Sequence, residues 1–337
     1  LGVVSIMGLD NYLIREIVTL TQNGLTGVLL GLLKYANRYI FTISICISIM
    51  LMLWVALVGL LTGSEIKTIF IVGALMIPPI VLTKAFGAEL RGFHRTLISQ
   101  LVEHAVSPIL LIIGVVTWWY FDFHLDSMIA VFIAVFSSFM ALIVAWLALK
   151  LISNRVLNNE CHRQKTLSLW KLSIPFAAIA FAQIANSKID ILLLGVIRNN
   201  LESGIYTAAA NIADLLIFAL IAMNIAMAPM LVKLKETRSI LKVQHLVSKA
   251  SGLGFLLSVP LFVVVFVYAQ VAVSIYGAEF TNASIPLKIL LFGQLANASC
   301  GPVVLLMMML GLEMRAAVGS LLTVGLHIIL SILLIPS

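Results

Sequence analysis

Charge is what this chain has least of. Charged residues are only 10% of its 337 positions, against about a quarter in soluble domains, while apolar residues reach 62%. Cysteine is nearly absent too. Cys46 and Cys300 sit in apolar blocks and Cys161 in a basic loop, a distribution that excludes a disulfide framework and metal-type spacing. No GxSxG, HExxH, Walker loop or phosphate-cradling glycine loop occurs, and no polar stretch is long enough to house a nucleotide or a sugar nucleotide. Enzyme chemistry therefore has little to stand on. The nearest cluster is Glu103-His104 beside Arg91, His94 and Arg95. The chain is expected to be neither an enzyme nor metal- or cofactor-bound.

What is present falls in blocks of about 18–25 apolar residues, the length that crosses a hydrocarbon core of about 30 Å. Nine complete spans are read, near 39–61, 68–86, 104–120, 127–151, 169–197, 205–231, 250–275, 285–310 and 316–336. Residues 1–9 read as the last turns of a tenth. The chain opens on Leu1 and closes just after an apolar block, so the reading expects a piece with spans missing at both ends, not competent by itself. Within residues 10–38, Leu13, Ile14, Ile17, Val18 and Leu20 read as a partly buried or interfacial helix, and 232–249 reads as a polar linker, a basic amphipathic helix lying on the membrane. Pro78-Pro79 must kink or interrupt its span, and Gly301-Pro302 must break another.

The excess of Lys and Arg, net +7, is explained by orientation rather than by nucleic acid. With the 152–168 linker placed in the cytoplasm, alternating loops put the basic residues overwhelmingly inside. Lys67, Lys188, Arg198 and Lys288 remain outside or in the outer half. The same linker is the best internal boundary. It divides an N-terminal bundle, 1–151, from a C-terminal one, 169–337. The fold class is all-α, a polytopic transmembrane helical bundle.

Polar side chains inside spans are expensive in lipid and mark sites. Gln183, Asn186 and Asp190, at i, i+3 and i+7, share one face of the 169–197 span, with Lys188 on another side. The next span opens near Tyr206 and carries Asn211 and Asp214 on one face; Asn224 lies deeper. Gln294 and Asn297 pair at i, i+3 just before the Gly-Pro break. Interface snorkelling of Lys188 and Asp190, anchoring by Tyr206 and amide contacts between helices are the competing structural readings. His327, alone in its span, reads as a packing or hydrogen-bonded residue.

Ser173-Ile174-Pro175, Lys188-Ile189-Asp190 with Leu194-Gly195, and Gly204-Ile205-Tyr206-Thr207-Ala208-Ala209 together resemble elements of the polysaccharide-transporter (Wzx-type O-antigen flippase) family. That family shares a superfamily with MATE multidrug exporters and MurJ-type lipid II flippases. Tyr276 to Phe280, Leu290 to Asn297 and Leu310-Gly311-Leu312-Glu313 resemble its later signatures, and Asn11 to Glu16 and Glu89 to Gly92 weaker early ones. The resemblance implies a MATE-like two-bundle transporter of about twelve spans in the bacterial inner membrane. Its implied function is moving undecaprenyl-diphosphate-linked oligosaccharide by alternating access, coupled to an H+ or Na+ gradient. Arg15, Lys34, Arg38, Arg91, Lys188 and Arg198 would offset the diphosphate. Asp190, Asp214 and the amides would meet sugar hydroxyls or the coupling ion. A monomer is expected, with a polymerase and chain-length regulator as pathway partners. The alternative is a MATE-like cation-coupled multidrug exporter, which should carry acidic residues deep in the bundles and little basic cavity character.

Overall fold

The computed structural model describes residues 8–62, 67–121, 126–156, 169–236 and 239–335. The remnant span at 1–7, the turns at 63–66 and 122–125, and most of the 152–168 linker lie outside the described residues. The chain divides into two units, Leu1–Ala177 and Ala178–Ser337.

In the first unit α1 is Leu9–Gln22, α2 Thr26–Thr62, α3 Lys67–Ala74 and α4 Ile77–Gly92. These are followed by α5 Thr96–Gln100, a π-helical turn Leu101–Ala105, α6 Val106–Tyr120 and α7 Ser127–Val156. The helix α4 is central, packed against α1, α2 and α7, and buried along almost its whole length from Ile77 to Gly92. Two glycines make that closeness possible. A methyl at Gly92 would stand 2.7 Å from the Cβ of Ile17, and one at Gly87 would overlap the carboxylate of Glu103. The prolines do not bend a continuous helix. They sit in the first turn of α4, where a missing N–H costs nothing, after a break at Leu75-Met76. Pro78 cannot donate to Ala74, and the buried hydroxyl of Ser48 takes that carbonyl at 2.7 Å.

In the second unit α8, Leu169–Ile197, begins in the first unit and continues beyond it. It is followed by α9 Asn200–Ala213, a 3-10 turn Asp214–Ile217, α10 Phe218–Glu236, α11 Ile240–Val267 and α12 Ala269–Ser274. A second 3-10 turn, Ala278–Ala283, leads to α13 Ser284–Cys300, α14 Val303–Leu310 and α15 Glu313–Leu334. Small residues let α9 approach α13. Ala209, Ile212, Ala213 and Leu216 pack with Val265, Ala269, Val273, Ala283, Leu287 and Leu291 in one apolar core. The 3-10 turn frees a carbonyl at Leu216, which accepts from the buried Ser258 hydroxyl at 2.8 Å. Asn199 caps α9 by accepting from the Glu202 N–H at 2.8 Å. Gly301, at φ +71°, and Pro302 separate α13 from α14 as expected, and Gly311, at φ +85°, closes α14 with a left-handed cap.

Among the described residues eight helices are long and apolar enough to cross a membrane, and the bent pair formed by α9 with its 3-10 turn and α10, at 47°, makes a ninth if it is one span. These correspond one to one with the nine expected spans. Their outward faces carry large exposed apolar residues such as Trp54, Trp119, Phe136, Leu256 and Leu322, the surface a lipid-facing bundle presents. The chain is a multi-pass membrane protein.

The helix expected around Leu13 to Leu20 is α1, deeply buried through Tyr12, Leu13 and Ile17, while α2 starts at Thr26, well before the expected Tyr39. Residues 240–249 likewise open α11 in one continuous helix rather than lying apart on the membrane. In both cases a basic helix end projects past the apolar window that hydropathy registers.

Candidate functional site

The polar residues of the second unit converge. Asp190, two turns before the end of α8, meets three side chains from two other helices. The Tyr206 hydroxyl of α9 donates to Oδ2 at 2.8 Å; Ser331 Oγ of α15 donates to Oδ1 at 3.1 Å. His327 Nε2, one turn before Ser331, stands 2.7 Å from the same Oδ1. The other ring nitrogen, Nδ1, lies 3.3 Å from Oδ1 of Asn186, one turn before Asp190 on α8. A face of α8 (Asn186, Asp190) thus meets a face of α15 (His327, Ser331), each at i, i+4 spacing.

This geometry defines the chemistry. An ionised carboxylate only accepts, so His327 Nε2 carries a proton. Nδ1 lies within reach of the Asn186 amide, which can meet it with either its oxygen or its nitrogen. Both Asp190 and His327 keep about a quarter of their side-chain surface open, 26% and 29%, so the pair is accessible to solvent or solute.

A second group adjoins the first. Gln294 Nε2 of α13 donates to Asp214 Oδ1 at 2.7 Å, and Asn297 Nδ2 reaches Gln294 Oε1 at 3.4 Å. The charge of Lys188 acts on Asp214, and the charges of Asp190 and Asp214 both act on the Tyr206 hydroxyl. Carboxylates, amides, hydroxyls and one imidazole from α8, α9 and the 3-10 turn after it, α13 and α15 form one polar constellation.

The remaining expected residues scatter. Gln183 and Asn211 are exposed and take no part in this network. Arg198 donates from Nε to the Ile335 carbonyl at 2.9 Å. In the first unit, Arg91 is 8% exposed and ion-paired with Glu103, while it donates to Ser99 at 3.2 Å and Ser99 donates to Glu103 at 2.9 Å. Its charge is committed inside the protein. Arg15 lies over the rings of Tyr12 and Phe176, at 5.6 and 5.3 Å, with Glu16 at 3.5 Å. Lys34 and Arg38, one turn apart on α2, are exposed and have no carboxylate partner among the described residues.

Sequence reasoning missed His327 and Ser331 as members of the site, because their partners lie 141 residues away. Their i, i+4 spacing in an otherwise apolar span was the available signal. It also passed over Glu89, which is 1% exposed and bonded to Asn37, and the lock of Arg91 by Glu103. Among the described residues no group of His, Cys, Asp and Glu has the arrangement of a metal site.

A polysaccharide biosynthesis protein family model matches residues 3–235. The chain belongs to that family. Solved MATE structures share its fold. A mutant of the Vibrio cholerae MATE transporter VcmN aligns at TM-score 0.70 and 16% identity over 98% of this chain and 84% of that one. A MATE in the bent conformation aligns at 0.69 and 12% over 100% and 86%, and another MATE mutant at 0.69 and 13% over 95% and 74%. No curated protein matches the chain at comparable significance.

Proposed function

We propose that this member of the polysaccharide biosynthesis family moves a lipid-linked oligosaccharide, carried on undecaprenyl diphosphate, between leaflets of the bacterial plasma membrane. The observation that carries the reading is the constellation around Asp190. It offers carboxylate, amide and hydroxyl groups from four helices, the mixture that hydrogen-bonds a sugar, at a site left partly open. Lys188 adds a positive charge that acts on Asp214. Lys34 and Arg38 of the first unit are the cations best suited to a diphosphate, since Arg91 and Arg15 are already occupied by Glu103 and by aromatic rings. Coupling to an H+ or Na+ gradient belongs to the same proposal, with Asp190, His327 and Asp214 as the groups whose charge can change. A polymerase and a chain-length regulator would receive the product.

The test is reconstitution of the full-length protein in liposomes with a fluorescent undecaprenyl-diphosphate oligosaccharide, read by a membrane-impermeant quencher. Gradient-dependent transfer between leaflets, reduced at least tenfold by Asp190→Asn, supports the proposal. No transfer, with efflux of an organic cation instead, replaces it with the drug-exporter reading.

A further inference from the structure

Where α10 ends and α11 begins, the second unit carries an open groove of about 480 Å3 that the transport reading does not use. It is lined by Leu234 of α10 and by Leu241, Lys242, His245, Leu246 and Lys249 of α11. Lys242, His245 and Lys249 stand at i, i+3 and i+7, on one face of α11, and cover about 10 Å along its axis at 1.5 Å per residue. All three are exposed, and among the described residues none of their side chains has a hydrogen-bond or ion-pair partner. The rest of the lining is leucine.

We propose that this groove binds the headgroup of an anionic phospholipid, the lysines holding the phosphate and the leucines taking the glycerol and the first methylenes. Three features favour a lipid. Among the described residues no carboxylate pairs with these cations, so the groove is complementary to an anion. The leucines have nothing to contribute to a small hydrated anion. The site sits on the first turns of a helix long and apolar enough to cross a membrane, beside the exposed apolar tip formed by Ile240 and Leu241. Basic pockets between transmembrane helices recognise lipid phosphates in this way. The basic composition of this end places it on the cytoplasmic side. That assignment rests on the proposed orientation, whereas the binding does not.

The experiment titrates detergent-solubilised full-length protein with spin-labelled phosphatidylglycerol, with spin-labelled phosphatidylcholine and inorganic phosphate as separate arms. Wild type should prefer phosphatidylglycerol, and Lys242→Gln with Lys249→Gln should weaken it by roughly 25-fold, about fivefold per lysine. The double arginine variant should bind as wild type, and Lys150→Gln, far along the chain, should change nothing. Equal affinity for the two lipids, an undiminished affinity in the glutamine variant, or displacement by inorganic phosphate at lipid-like concentration would overturn the proposal. No saccharide carrier is present in the assay, so its outcome is independent of whether the protein flips one.

Discussion

If Asp190 and His327 form the bond that holds α8 to α15, their substitutions must be strongly non-additive. The Nε2–Oδ1 distance is 2.7 Å, that of a charge-assisted hydrogen bond. Such bonds contribute about 1.5–3 kcal/mol in proteins generally. Polar contacts between transmembrane helices give less, averaging about 0.6 and reaching about 1.7 kcal/mol, because separated helices find other partners. The pair retains about a quarter of its surface, which weakens it further, yet Tyr206 and Ser331 fix the carboxylate from two other directions. The expected coupling is therefore about 1–1.5 kcal/mol. The assay is a double-mutant cycle of Asp190→Asn and His327→Phe, read as unfolding free energy in mixed dodecylmaltoside–SDS micelles. Gln183→Leu serves as the control partner, because Gln183 shares the α8 face without joining the network. Additivity of Asp190→Asn and His327→Phe within about 0.3 kcal/mol, or an equal coupling with Gln183→Leu, would refute the reasoning.

Other substitutions separate packing from chemistry by the same unfolding measurement. Arg91→Ala should cost about 3–5 kcal/mol, because it strands the buried Glu103 carboxylate, and adding Glu103→Gln should recover part of the loss. A defect that the second change leaves untouched would point to a role for Arg91 outside the protein's interior. Gly92→Ala should destabilise by about 1–3 kcal/mol against Ile17, whereas Gly204→Ala, with open space around the new methyl, should be neutral or stabilise by up to about 1 kcal/mol. Ser48→Ala should cost about 1–2 kcal/mol by orphaning the Ala74 carbonyl that Pro78 cannot serve, and a silent Ser48→Ala would mean that another donor reaches it.

The bundle was legible because hydropathy reports what lipid demands. Each long apolar run is a helix, and both proline-containing breaks fall where a missing N–H or a left-handed glycine requires them. Helix starts were misplaced where a helix outruns the membrane. Lys34 and Arg38, and Lys242 and Lys249, look like loop residues to a hydropathy window but continue α2 and α11 without interruption. Half of the site could be read in the same way. Asn186 and Asp190 share a face by spacing, and Asp214 and Gln294 stand out by their cost in lipid. What spacing cannot supply is pairing. Nothing local distinguishes Asn211, which bonds to none of these groups, from Asn186, which meets His327. Nor does Arg91 reveal that Glu103, twelve residues on, has claimed its charge.

The most direct test of the account is made in the organism that encodes the protein. The gene is deleted, and lipid-linked oligosaccharide in the plasma membrane and polymer at the cell surface are measured after complementation with wild type or with Asp190→Asn. The account predicts loss of surface polymer in the deletion, with the lipid-linked intermediate held on the cytoplasmic face. Wild type should restore the polymer and Asp190→Asn should not. Unchanged polymer and intermediate in the deletion strain, together with altered sensitivity to organic cations, would contradict it.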